Sequence, residues 1–143
     1  MSQELGVNQI LLHGGADEAY DRSVLFAKRL AASFGARLHI VYTVEDATGW
    51  TEEIRPGDLP VVHQAIEEEA RDRLARLIPA EEQEQLSIAL ALRTGAAERE
   101  LASYTEEHAV DLAILQAPLS NPQSVEIART LIDSGRCAVL VLR

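Results

Sequence analysis

Few residues of this chain offer chemistry: four histidines, one cysteine, a diglycine and two aspartates around the start of the first predicted helix. His13, His39, His63 and His108 fall on a strand end, a strand and two helices. No two of them have the i, i+4 spacing that aims a pair of imidazoles at one metal ion. His13 ends a predicted strand, where α/β sheets bind ligands, and a free imidazole there titrates near neutral pH; a polar strand-end residue is the plainer reading. Gly14-Gly15 follows it, either as a tight turn or as backbone bare enough for a ligand to approach. Cys137 lies in an apolar run, which reads as a buried structural thiol without a redox role. Asp17 and Asp21 suggest an acidic metal pocket only if an acid ends strand three and a lysine follows a later strand; neither does, so capping and surface placement account for them. Nucleophilic catalysis needs an activated side chain with a base in reach, and no G-x-S-x-G or cysteine in a polar loop occurs. The residues propose no catalytic group, no metal and no enzyme.

The elements that must position these residues alternate between strand and helix. Val7 to Leu12 is a buried strand. Asp17 is placed to cap a helix over Glu18 to Phe34, whose apolar face is Tyr20, Val24, Ala27, Leu30, Ala31 and Phe34, with Gly35 at its end. Arg37 to Val44 is a second strand covered on both faces. Glu45 to Leu59, with Gly49, Pro56 and Gly57, is an irregular excursion. Pro60 opens a second helix whose apolar stripe is Val62, Ala65, Ile66, Ala70, Leu74, Leu77 and Ile78, ending at Pro79. A Glu/Gln-rich connection leads to strand three, Leu86 to Arg93, and a Thr94-Gly95 turn. A third helix follows with Ala97, Leu101, Tyr104 and His108 on its buried side. Asp111 opens strand four at Leu112 to Leu115, Gln116 to Gln123 is a loop with two prolines, Val125 to Ser134 is a last helix ended by Gly135, and Cys137 to Leu142 is strand five. This alternation is the pattern of a single doubly wound α/β domain over residues 1–143, a parallel sheet with helices on both faces. Ligands bind such sheets outside the carboxyl ends of the strands where the winding reverses, so the His13-Gly14-Gly15 turn and the Gln116 loop are expected to meet there.

Composition narrows the partners. With 23 acidic and 13 basic side chains the formal net charge is −10, which opposes nucleic acid and anionic membrane. Glu67 to Glu69 and the acids between Glu81 and Glu84 read as solvated helix surface. No apolar run reaches the roughly 20 residues of a membrane span, and Met1 to Asn8 lacks the basic and apolar regions of a signal peptide, so a cytoplasmic protein is expected.

Taken in order and spacing, Ile10-Leu11-Leu12 before a helix, Phe34-Gly35-Ala36-Arg37-Leu38-His39-Ile40-Val41, the Gly95 turn, Asp111-Leu112-Ala113-Ile114-Leu115 and Cys137-Ala138-Val139-Leu140-Val141-Leu142 resemble the universal stress proteins over nearly the whole chain. The resemblance implies a five-stranded parallel sheet in the order 3-2-1-4-5, of the adenine-nucleotide-hydrolase type, and a homodimer acting in stress response. One branch of that family binds ATP through an aspartate ending strand one and a loop G-x2-G-x9-G-[ST] after strand four. Here Gly15 stands at the aspartate, Gln116 at the first glycine and Val125-Glu126 at the final pair. Gln116 to Gln123 has no glycine and two prolines, which lack an N–H, and Glu126 brings negative charge near the expected helix start. Ordinary ATP binding is therefore not expected and no cofactor is assigned. If a nucleotide does bind, Gly14, Gly15 and Thr43 are its adenosine contacts and Gln116 lies in the loop that replaces the phosphate cradle; Thr43 enters only by resemblance.

Strand five is an edge strand in the implied order. A long apolar edge left bare invites aggregation, so Val139, Leu140, Val141 and Leu142 are expected to pair antiparallel with the same segment of a second copy. The expected function is a non-catalytic homodimeric sensing or partner-binding module, whose other partner is an unidentified protein or small ligand. Its rivals are a nucleotide-binding relative with a rebuilt site and, less favoured, a small hydrolase or transferase.

Overall fold

The computed structural model of the protein describes residues 6–15, 19–44, 59–116, 122–134 and 137–142. In chain order they form β1 (Gln9–His13), α1 (Ala19–Phe34), β2 (Arg37–Val44), α2 (Leu59–Leu77), α3 (Ala80–Gln85), β3 (Ala89–Thr94), α4 (Ala97–Glu107), β4 (Leu112–Gln116), α5 (Pro122–Ser134) and β5 (Ala138–Leu142). The strands make one sheet in the order β3-β2-β1-β4-β5, and every neighbouring pair is parallel.

Central strands buried on both faces need apolar residues at successive positions, and β1 supplies Ile10, Leu11 and Leu12, all fully buried. Ile10 and Leu12 join one core with Val24, Ala27 and Ala31 of α1 and Leu74 of α2, while Leu11 joins the other with Leu101 and Tyr104 of α4 and Ile127 and Leu131 of α5. The two helical layers thus clamp the sheet from opposite sides. Register is pinned at its amino edge by Asp111, whose Oδ2 accepts the backbone N–H groups of Asn8 at 2.7 Å and Gln9 at 2.9 Å. At the far edge the strand ends bring His13, Thr43 and Gln116 to one side of the molecule.

Gly35 takes φ +66°, the left-handed conformation expected after a helix, and no neighbour lies within 4 Å of where a Cβ would be. Several boundaries differ from those expected. The Glu/Gln-rich connection forms the short helix α3, since Ala, Glu and Gln are strong helix formers and the Pro79 carbonyl accepts the N–H groups of Glu82 and Gln83 at 3.0 Å. Strand β3 consequently begins at Ala89 rather than Leu86, after Ser87 at φ 49°. Strand β4 runs one residue further, taking in Gln116, and α5 starts at Pro122, a first-position proline, rather than at Val125. Helix α4 ends at Glu107, leaving His108 exposed as its C-cap rather than buried. Phe34, Ala65 and Val125 also face solvent, Phe34 and Ala65 despite falling on expected apolar stripes. Cys137 is half-buried, and burial raises its thiol pKa. The Asp17 cap, residues 45–58 of the expected excursion and Gly135 lie outside the described residues. Among the described residues no helix is long and apolar enough to cross a membrane.

Candidate functional site

A cleft of about 570 Å³ opens at the carboxyl ends of β1, β2 and β4, where the winding of the sheet reverses. Its volume falls within the roughly 300–1,000 Å³ of small-molecule sites. The four residues proposed from sequence, Gly14, Gly15, Thr43 and Gln116, all line it, as does His13. Helix α2 supplies a wall through Ile66, Glu69, Ala70 and Arg73, and the first turn of α5 contributes Gln123 and Ser124.

His13 Nε2 lies 2.9 Å from Thr43 Oγ1, and burial pulls the imidazole pKa down to about 4. Of the two readings of His13, this shift agrees with the plainer one, a polar strand-end residue, rather than a group that titrates near neutral pH. Taken out of water without an anionic partner, it stays neutral across the physiological range and is a weak base. Gly14 and Gly15 have no positive φ; what they provide is space. A Cβ on Gly14 would sit 2.8 Å from Tyr42 Cε1, and one on Gly15 would sit 2.5 Å from Tyr20 Cε2, both closer than atoms approach. Gly14 N–H continues the ladder to the Val41 carbonyl at 2.9 Å. Two tyrosine rings thus fold over a bare backbone, and Tyr20 fills the volume into which an aspartate at position 15 would project.

Gln116 belongs to strand rather than loop. Its buried carboxamide accepts the Ser23 hydroxyl of α1 at Oε1 and donates from Nε2 to the Leu142 carbonyl of β5 at 3.4 Å. Arg73 pairs with Asp21 of α1, Nη1 to Oδ1 at 2.9 Å, and its side chain is only 17% exposed. Burial pushes the Tyr42 phenol pKa up, with the nearby Arg73 acting in the other direction.

The remaining histidines lie away from the cleft. His63 Nε2 contacts Thr94 Oγ1 at 2.9 Å. His39, 1% exposed, sends Nε2–H to Gln9 Oε1 at 2.6 Å and accepts the Tyr104 hydroxyl at Nδ1 at 2.8 Å; burial, then Arg37 and His108, lower its pKa to about 4. His108, one turn beyond Tyr104, stacks on it with centroids 4.1 Å apart and lies 5.2 Å from His39, which is distant in sequence. Sequence spacing does not reveal that cluster, because strand and helix end meet only through the fold.

No known family model matches the sequence, and no curated protein does. Solved structures do. The chain superposes on a universal stress protein from Lactobacillus plantarum with a TM-score of 0.66 at 19% identity, covering 96% of this chain and 99% of that one. A universal stress protein solved in complex with cAMP gives 0.64 at 21%, covering 96% and 98%. A protein of the universal stress protein family from Burkholderia pseudomallei gives 0.59 at 26%, covering 95% and 96%. The chain has the universal stress protein fold. The strand order is the one the resemblance implies, and the cleft sits at the switch point of that fold.

Side chains crowd the bare backbone at this cleft. Tyr20 stands over Gly15, and Gln116 is tied to α1 and β5. Tyr20, Tyr42, Ser124 and Arg73 line the cleft and were not among the site residues expected from the sequence. One signal was available for Arg73: it continues the Ile66, Ala70 stripe at i+7, a charge on an otherwise apolar helix face.

Proposed function

We propose that this chain is a universal stress protein acting as a non-catalytic, homodimeric sensing module in the cytoplasm. Its cleft takes a small ligand of the nucleoside class without a glycine-loop triphosphate cradle. The observation that carries the reading is the cleft itself, which brings Gly14, Gly15, Thr43 and Gln116 together at the switch point of the sheet. Aromatic rings and bare backbone beside a hydroxyl suit a flat heterocycle and its sugar. A structure of this fold at 21% identity is described in complex with cAMP, which supports a nucleotide-sized guest. Against the triphosphate stand the two prolines and absent glycines of Gln116 to Gln123. Against catalysis stands the low basicity of His13, whose pKa of about 4 makes it a poor base for the Thr43 hydroxyl it contacts.

Thermal unfolding with adenosine, AMP, cAMP and magnesium ATP tests this, because a ligand that binds only the folded state raises the melting temperature. Adenosine and AMP are expected to give saturable shifts, with magnesium ATP gaining nothing over AMP. A magnesium ATP shift well beyond that of AMP would restore the triphosphate site. No shift with any of them would move the function from the cleft to the protein surface.

A further inference from the structure

Arg73 and Glu69 are the only permanently charged side chains among the described residues lining the cleft. They are not equivalent. Glu69 is exposed, where water screens its charge, whereas the Arg73 side chain is 17% exposed and sits where a charge acts more strongly. His13, the other basic group on the cleft wall, is held neutral by burial. The chain carries −10 overall, so a cation in this cleft runs against its general composition.

We propose that Arg73, reaching the cleft from α2, holds an anionic group of the ligand, a phosphate monoester or a carboxylate, in place of the loop after β4. The proposal rests on the reading of the cleft as a ligand site and names the group that recognises the ligand's charge. The guanidinium is suited to an anion because it is a planar fork of five N–H donors that matches carboxylate and phosphate oxygens two at a time. Asp21 of α1 accepts one N–H of that fork, from Nη1 to Oδ1 at 2.9 Å, and is the countercharge an anionic ligand would share it with. The competing account is that Arg73 and Asp21 merely tie α1 to α2.

The two accounts separate in variants measured by calorimetric titration with adenosine and AMP. In the wild type AMP is expected to bind about tenfold more tightly than adenosine, the value of one charge-assisted interaction. Arg73→Gln is expected to bring that ratio close to one while adenosine binding persists. Arg73→Lys, keeping the charge but losing the fork, is expected to fall between. Asp21→Asn breaks the same ion pair but leaves the cation with one countercharge fewer, so its AMP preference is expected to hold or rise. A preference for AMP that survives Arg73→Gln would overturn the assignment, and so would its loss in Asp21→Asn with adenosine binding intact. If neither adenosine nor AMP binds the wild type, the reading of the cleft fails, and the assignment fails with it.

Discussion

At the residue scale, two buried neutral histidines tie stability to pH. The pKa values of His13 and His39 are lowered from 6.5 to about 4 in the folded chain. Below pH 6.5 the unfolded chain therefore binds more protons than the folded one, and stability falls as the pH drops from 6.5 towards 4. His39 alone is expected to account for about 2 kcal/mol lost between pH 7 and pH 5. Urea unfolding at those two pH values checks this, and His39→Gln is expected to remove His39's share of the dependence; an equal slope in the variant would show that the fold does not lower the His39 pKa. Neither shift is visible in the sequence. A histidine at a strand end reads as polar and titratable, and only the packing around His13 and the fit of His39 between Gln9 and Tyr104 reverse that. Gly14 and Gly15 teach the same lesson. Their type is legible, but their purpose depends on Tyr20 and Tyr42, which the fold carries to them.

At the scale of elements, the outer edge of β5 is the feature most in need of a partner. Its hydrogen-bonded neighbour in the sheet is β4 alone, and Val141 is 39% exposed. Leu25 and Phe26 of α1, also exposed, line a groove with Val141 and Leu142 beside that edge. Pairing with the same strand of a second copy would cover the edge and its apolar surroundings. Val141→Pro, which removes an edge N–H and fixes φ, is expected to convert a dimer to a monomer by light scattering, and Val141→Lys to do so without backbone change. A folded variant of unchanged mass would place the contact elsewhere. Because Gln116 lines the cleft and donates to the Leu142 carbonyl, the edge and the cleft share one buried side chain.

At the scale of the molecule, the architecture was legible and the site only partly so. Alternating apolar runs and amphipathic stretches gave every strand and all helices but α3, because double-sided burial leaves a direct imprint on composition. The strand order came from resemblance, and the sheet adopts it. His13, Gly14, Gly15 and Gln116 were found because the switch point locates them and Thr43 by resemblance, whereas Arg73 and Tyr20 belong to helices whose rotation only packing settles. We propose that this cleft, walled by Tyr20, Tyr42, Gln116 and Arg73, is where a nucleoside-class ligand binds. Amide chemical shifts of the labelled protein titrated with adenosine test that claim most directly. The amides of Gly14, Gly15, Thr43 and Gln116 are expected to move together and saturate; shifts that leave all four unchanged while adenosine binds elsewhere would contradict it.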